Sequence, residues 1–335
     1  MNSSKTNLKR EIKSRAALAE KEIREYLDRP LDELYAPLRD IMSRGGKRLR
    51  PAMCMIACEA VGGKAKDALT TAAAIEMIHN FTLIHDDIAD KSELRRGKPC
   101  LHHLHGLGLA INAGDGMFSV AYCALVDAVK RMEWGPGTRV LGILAQRVTE
   151  VCEGQAMDIA WVEKRRWDLT EKDYFEMIRR KTGALMSAAC ETGGVIGGGT
   201  EKQIRGLRDF GMDIGVGFQI HDDVLNLRAD VKKYGKEIGG DINEGKRTLM
   251  VISTLEACRP SEREFLGRML DKPRNSQDEI KAAIEIIEKY GSIDNAARVA
   301  KKIVEDGKKG LIALPKSKAR GILIDVADYL IERDL

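Results

Sequence analysis

Residues 67–91 run without a proline or glycine and are dense in Ala, Leu, Ile and Met, a stretch that sustains a helix over many turns. The same pattern holds along most of the chain. Only eight prolines occur in 335 residues, and no sustained apolar/polar alternation marks a sheet. Asp67 is a candidate N-cap for the first long helix, and Gly97–Pro99 a stop signal. A second apolar helix is expected from about Ile204 to Leu227, where Gly211, Gly215 and Gly217 allow either close helix packing or a local bend. Loops are expected at Gly62–Gly63, Trp134–Gly137, Gly197–Thr200, Tyr234–Gly245 and Arg259–Gln277. None is a long Pro/Ser linker, so the expectation is a single all-α domain over residues 1–335. The charged residues 1–30 form its peripheral N-terminal helix, and the tail from Asp278 onward is helical as well.

Composition narrows the classes. Hydrophobic residues make up 44% and charged residues 32% with mixed signs, which supports a folded core and excludes disorder. A net charge of +4 without a long single-sign block argues against a nucleic-acid partner. Seven cysteines occur with no CxxC pair or metal-type spacing, as expected of a reduced, cytoplasmic protein with buried thiols. The N-terminus has no apolar segment of the signal-peptide kind. The longest mostly apolar stretch, Leu107 to Val126, carries Asn112 and Asp115 near its middle. An aspartate at a bilayer centre costs roughly 2.5–3.5 kcal/mol, so a buried helix is expected and no transmembrane segment.

Two acidic clusters carry the chemistry. In Asp86-Asp87-Ile88-Ala89-Asp90 the first and last aspartates are four residues apart, about 400° of helical turn, and project from nearly one face. Such carboxylates repel unless a cation joins them. Hard oxygen ligands with room for water and phosphate suit Mg²⁺. A lone motif of this kind is more often a solvated acidic face. Here it is echoed: Ile84-His85-Asp86-Asp87 recurs as Ile220-His221-Asp222-Asp223, and Gly46-Lys47-Arg48 as Gly245-Lys246-Arg247. Cations stand near glycines or helix ends at 45–51, 95–99, Lys181-Thr182-Gly183, Lys236 and Lys246, where Arg grips phosphate through two bonds and Lys as a point charge. His79 lies seven residues before Asp86, two turns along the same face. His85, His221 and the group His102, His103, His105 show no metal pattern and read as structural or surface residues.

Together GGKRLRP at 45–51, IHDDIAD at 84–90, RRGKP at 95–99, GD at 114–115, GQAMD at 154–158, KTGAL at 181–185, FQIHDDVLN at 218–226 and the Lys236–Thr248 loop resemble the trans-isoprenyl diphosphate synthases, particularly archaeal-type geranylgeranyl diphosphate synthases. The resemblance implies an all-α helical bundle around a deep central cavity, and a homodimer. It also implies head-to-tail condensation of isopentenyl diphosphate with an allylic diphosphate (dimethylallyl, geranyl or farnesyl), with geranylgeranyl diphosphate as product. Asp86, Asp87, Asp90, Lys181, Asp222 and Asp223 would form the catalytic set. Three Mg²⁺ per active site would be held through Asp86, Asp90 and Asp222. Lys47, Arg50, His79 and Arg96 would hold isopentenyl diphosphate. Arg95, Lys181, Lys236 and Lys246 would grip the allylic diphosphate, with Thr182 and Gln219 beside the developing cation. Asn226 stands where many relatives carry Asp, and offers a carbonyl oxygen without charge.

The resemblance also makes Phe81 and Thr82, five and four residues before Asp86, the chain-length residues. A simple wheel puts Phe81 about 140° from Asp86, so that role rests on resemblance alone. The implied reaction needs no protein nucleophile, in keeping with the lack of a Ser/His/Asp or Cys/His signature. The alternatives are a farnesyl or longer product, a class I terpene cyclase, and a non-catalytic subunit of a heteromeric synthase. A cyclase usually carries an Asn/Ser/Glu metal motif not found here and needs no second diphosphate site. A non-catalytic subunit tends to lose an aspartate motif.

Overall fold

The computed structural model describes residues 2–228 and 239–331. The chain is all-α. Its helices are α1 (Asn2–Leu27), α2 (Asp32–Ser43), α3 (Leu49–Ala60), α4 (Leu69–Ala89), α5 (Leu101–His105), α6 (Leu107–Lys130), α7 (Trp134–Glu163) and α8 (Glu171–Ile178). There follow α9 (Ala184–Ile196), α10 (Glu201–Arg228), α11 (Gly240–Asn243), α12 (Leu249–Ala257), α13 (Pro260–Asp271), α14 (Gln277–Lys289), α15 (Ser292–Gly307) and α16 (Lys318–Ile331). Among the described residues the only strands are β1 (Leu94–Arg95) and β2 (Lys98–Pro99), an antiparallel pair with Arg95 opposite Lys98.

The contacts group the chain into two compact units, 1–146 with 185–211 and 309–326, and 147–184 with 212–308 and 327–335. In the first unit α4 packs most extensively against α6, then against α3 and α1. Its Ala72, Ala73, Ala74, Ile75, Met77 and Ile78 are buried, as are Ala113, Met117, Ala121 and Ala124 of α6. Alanines on both sides let the helix axes approach. The N-terminal helix buries a stripe of Leu8, Ile12, Ala16, Ala19, Ile23 and Leu27, the spacing of an amphipathic helix. It is tied down by Arg15 on Glu59 and by Glu20 on Arg48.

Helix α6 is the one described helix long and apolar enough to cross a bilayer by length and composition. One side of it packs on α4, α2 and α5. Leu107, Ile111, Tyr122 and Val126 are exposed on the other.

In the second unit the core gathers Tyr174, Met177 and Ile178 of α8, Val216, Ile220 and Val224 of α10, and Met250, Ile252 and Leu255 of α12. Capping boxes start α8 (Thr170 with Asp173) and α14 (Ser276 with Glu279), each satisfying orphan N–H groups. Of the two readings for the α10 glycines, the structure shows close packing at Gly217. A Cβ there would lie 3.1 Å from the Ala300 carbonyl oxygen and closer still to Val304.

Three local expectations are corrected. Trp134–Gly137 is the first turn of α7, and Arg259–Gln277 contains α13. Each holds a proline near the helix start, Pro136 and Pro260. Proline is tolerated in a first turn, where its missing N–H has no partner to lose, and Pro260 is the first residue of α13. The first long helix begins at Leu69, after a short 3₁₀ turn at Ala65–Ala68 that contains Asp67.

Candidate active site

In the first unit, the loop before α3 is pinned from below by a buried cation. Arg48 adopts a left-handed backbone conformation. Its guanidinium donates to Glu76 on α4 (2.8 Å), to Glu20 on α1 (2.9 Å) and to the Met42 carbonyl. Asn80 adds a bond to Glu76. A pair this buried holds only when its remaining polar atoms are also satisfied. The anchor fixes its neighbours Lys47, exposed, and Arg50, half-buried in the first turn of α3.

Arg50 belongs to a concentration of positive charge. Its buried Nε has no hydrogen-bond partner, and burial pulls its proton affinity down, with Glu76 opposing. His79 is held neutral, well below the usual histidine range, first by burial and then by the charges of Arg50, Arg96 and Arg95. Arg96 and Gly97 are the central residues of the β1–β2 hairpin and both have positive φ (55° and 75°), the requirement of a type I′ turn. That turn aims Arg96 over Gly46 and onto the Gly45 carbonyl. So Arg50, His79 and Arg96, proposed from sequence as one anion site, are brought together, with Lys47 on the same loop.

The first aspartate cluster ends α4. Asp90 is its C-cap, its N–H bonding the Asp86 carbonyl (2.8 Å), and both side chains are partly exposed. Asp87 is buried and accepts from Arg95 Nε at 2.7 Å. Within the cluster the work is thus divided: Asp87 anchors the hairpin through Arg95, and Asp86 and Asp90 stand partly exposed, four residues apart.

On the preceding turn Phe81 packs against Phe118 (centroids 4.9 Å) and edge-on to His85 (5.5 Å). The Thr82 hydroxyl bonds back to the His79 carbonyl. His85 lies over Gly114 of the GD pair, its Nε2 3.3 Å from the Ile111 carbonyl oxygen. A Cβ on Gly114 would fall 2.1 Å from that nitrogen. Gly114→Ala is therefore expected to lower stability by about 1–3 kcal/mol, the usual cost of overpacking. Thermal denaturation checks it, with His85→Ala in the same chain restoring most of the loss.

In the second unit Lys181 and Thr182 sit in a π-helical turn, Arg179–Gly183, between α8 and α9. Such turns are common at functional sites. Gly154 lets α7 approach that turn: a Cβ there would lie 2.3 Å from the Lys181 backbone nitrogen. One helical turn on, Asp158 receives Lys181 at 2.6 Å and Lys246 at 3.6 Å. Burial raises the Asp158 carboxyl, but the two ammonium groups outweigh it and hold the group below the usual range.

Next to these, the Thr182 hydroxyl donates to Gln219 Oε1 (3.3 Å), and Gln219 Nε2 donates to Asp223 Oδ1 (2.9 Å). Asp223 Oδ2 accepts from the Tyr174 hydroxyl (2.9 Å). Burial pushes the Asp223 carboxyl up to about 7 against the pull of Gln219 and Tyr174, with Asp222 and Asp158 pushing the same way. Asp222 is only partly buried. Asn226 Oδ1 accepts the Asp241 N–H at 3.2 Å, so the uncharged residue ties α11 to α10. Lys236 lies outside the described residues.

Sequence reasoning quoted Asp158 within GQAMD without giving it a role, and missed Arg48 and Tyr174. For Asp158 the signal was there: a glycine and an acid four residues apart on one helical face, with two lysines needing a counter-charge. For Tyr174, in an ordinary amphipathic helix, there was none.

The donor set fits Mg²⁺. Asp86, Asp90 and Asp222 offer hard oxygens with partial exposure. Among the described residues no group of three or more His, Cys, Asp or Glu forms an all-protein metal cage. Mg²⁺ uses one or two carboxylates and completes its shell with water and phosphate oxygens.

Residues 31–287 match the family model described as polyprenyl synthetase. The chain is 41% identical over 331 residues to a short chain isoprenyl diphosphate synthase of Methanothermobacter thermautotrophicus, covering 96% of this chain and 98% of that one. It is 38% identical to a geranylgeranyl diphosphate synthase of Methanosarcina mazei, covering 97% of each. The crystal structure of a geranylgeranyl pyrophosphate synthetase from Pyrococcus horikoshii superposes with a TM-score of 0.92 at 40% identity, over 99% of this chain and 100% of that one. The chain belongs to the polyprenyl synthetase family and is a prenyltransferase.

Proposed function

We propose that the protein condenses isopentenyl diphosphate head-to-tail with dimethylallyl, geranyl and farnesyl diphosphates, and that geranylgeranyl diphosphate is the product. One observation carries the reading: there are two separate cation groups, each beside an aspartate cluster. Arg50, His79 and Arg96, with Lys47, form an anion site in the first unit. Lys181 and Lys246 on Asp158 form another in the second. Two anion sites suit two diphosphates, whereas a terpene cyclase needs one.

Lys47, Arg50, His79 and Arg96 bind the diphosphate of isopentenyl diphosphate. Neutral His79 donates a hydrogen bond rather than a charge. Lys181 and Lys246, with Arg95 and Lys236, hold the allylic diphosphate, and Asp86, Asp90 and Asp222 hold three Mg²⁺. When bound, these ions neutralise charge building on the departing diphosphate. Thr182 Oγ1 and Gln219 Oε1 face the allylic carbon and stabilise positive charge there, a preorganised electrostatic role. Asp87 and Asp223 act by orienting Arg95 and Gln219.

Assay of the purified chain with Mg²⁺, isopentenyl diphosphate and each starter, products resolved by length, tests the reading. A C20 diphosphate that requires isopentenyl diphosphate is expected. A cyclic product formed without it, or no product from the chain alone, overturns it.

Phe81 closes the path of the growing chain, with Phe118 bracing its ring. Phe81→Ala is expected to shift the main product to C25 or longer in a chain-length assay, and an unchanged profile removes this role. A relative 37% identical, from Natronomonas pharaonis, is named a geranylfarnesyl diphosphate synthase, so longer products occur among similar chains.

The exposed stripe Leu107, Ile111, Tyr122 and Val126 on α6 supports a homodimer, since an apolar strip of this length is rarely left to water. Sedimentation gives its mass. All seven cysteines are free thiols, which supports a cytoplasmic location.

A further inference from the structure

We propose that Tyr174 is a positioning residue for the ionisation step: through Asp223 it fixes which end of the Gln219 amide faces the allylic carbon. This rests on the reading of Thr182 and Gln219 as the groups beside the developing cation.

The four side chains form one hydrogen-bonded line. Tyr174 Oη donates to Asp223 Oδ2 at 2.9 Å, Gln219 Nε2 donates to Asp223 Oδ1 at 2.9 Å, and Thr182 Oγ1 donates to Gln219 Oε1 at 3.3 Å. The two ends of an amide are nearly identical in shape and opposite in charge, so only partners decide which way it points. Both Asp223 oxygens accept, Oδ2 from Tyr174 and Oδ1 from Gln219, and this arrangement calls the Nε2 end of Gln219 toward Asp223. The Oε1 end, carrying partial negative charge, is left on the Thr182 side. Were the amide reversed, two N–H groups would point their positive ends at a forming cation.

Asp223 can perform this selection only if its own carboxylate plane is held. Gln219 lies four residues back on the same helix and moves with it. The independent hold comes from α8. The Tyr174 ring is buried in the core of the second unit, edge-on to Phe175 at 5.8 Å. The capping box of Thr170 and Asp173 fixes the first turn of its helix. A buried hydroxyl is costly unless bonded, and in the same core a phenylalanine would fill the ring's space. The hydroxyl's use is its bond to Asp223.

The test uses the full chain with Mg²⁺, isopentenyl diphosphate and geranyl diphosphate. Tyr174→Phe is expected to lower kcat about 10-fold, the effect of one hydrogen bond expressed in the transition state. KM for isopentenyl diphosphate, and the affinity for a non-ionising thio analogue of geranyl diphosphate, should stay within about twofold. In a Gln219→Ala background the same substitution should change kcat by less than about twofold, because the group it positions is gone.

A Tyr174→Phe enzyme with wild-type kcat, or an equal loss in both backgrounds, overturns the positioning role. Gln219→Glu reads the same orientation without touching Tyr174. It puts an acceptor where Asp223 requires a donor, and kcat should fall at least as far; wild-type turnover in that variant also overturns the role. The wild-type arm separates the two readings, since failure of the wild-type chain to form any prenyl product counts against the proposed reaction rather than against Tyr174.

Discussion

Asp86→Ala is expected to lower kcat about 10³-fold with little change in thermal stability, and Asp87→Ala to do much the reverse. The two residues are adjacent, yet the structure gives them different surroundings. Asp86 is partly exposed at the last turn of α4, with Asp90 one turn on. Removing it takes away a proposed metal ligand from a partly exposed position. Single groups that stabilise transition-state charge are commonly worth about 10²–10³ in rate, and a ligand to an ion that neutralises the leaving group belongs at the upper end.

Asp87 is buried and is the partner of Arg95. Losing one member of a buried ion pair costs about 3–5 kcal/mol. Arg95 is itself about a quarter exposed (side chain 23%), which reduces the expected loss to about 2–3 kcal/mol. Turnover at saturating substrate and thermal midpoints, measured on both variants, separate the roles. Equal kinetic losses without any difference in stability would remove the distinction.

Asp158→Ala is expected to be damaging on both counts. Its carboxylate, with 6% of the side chain exposed, lies between Lys181 (18%) and Lys246 (16%). Without it Lys181 and Lys246 lose the carboxylate they share, although Lys246 keeps Glu244 at 3.7 Å. A loss of about 3 kcal/mol is expected, together with a fall in kcat of about 10²-fold as the lysines lose their alignment. A non-ionising allylic diphosphate analogue with Mg²⁺ should restore part of the stability, because its phosphate oxygens replace the missing charge.

The pH dependence follows from the depressed Asp158 carboxyl. Its contribution is fully present above the unfolded carboxylate range, about pH 4, and is lost as pH falls further. In the variant that part of the acid dependence should be absent. Denaturant titrations at pH 7 and below pH 4 measure it. A variant as stable as wild type at pH 7 would contradict the anchoring role.

What could be read from the sequence was whatever is local. The four-residue spacing of Asp86 and Asp90 fixes their common face on any helix. Runs such as 67–91 admit little besides helix. The recurrence of Ile-His-Asp-Asp marks two chemically similar helices. The rest depends on residues distant in sequence. Tyr174 and Asp223 meet only when α8 packs on α10, and a tyrosine in an amphipathic helix does not announce what its hydroxyl will bond. Asp158 looks like one more charge on α7 until the π-helical turn brings Lys181 to it. Gly114 is half of a two-residue motif until the His85 ring is seen lying over it. Helix α13 and the first turn of α7 each carry a proline near the helix start, a place where it is tolerated.

The most direct measurement is anomalous diffraction from crystals grown with Mn²⁺ in place of Mg²⁺, isopentenyl diphosphate and a non-ionising thio analogue of geranyl diphosphate. The expected result is metal bonded to the carboxylates of Asp86, Asp90 and Asp222, and none on Asp87 or Asp223. Diphosphates bound with no metal at those three aspartates, or metal on Asp87 or Asp223, would contradict the account.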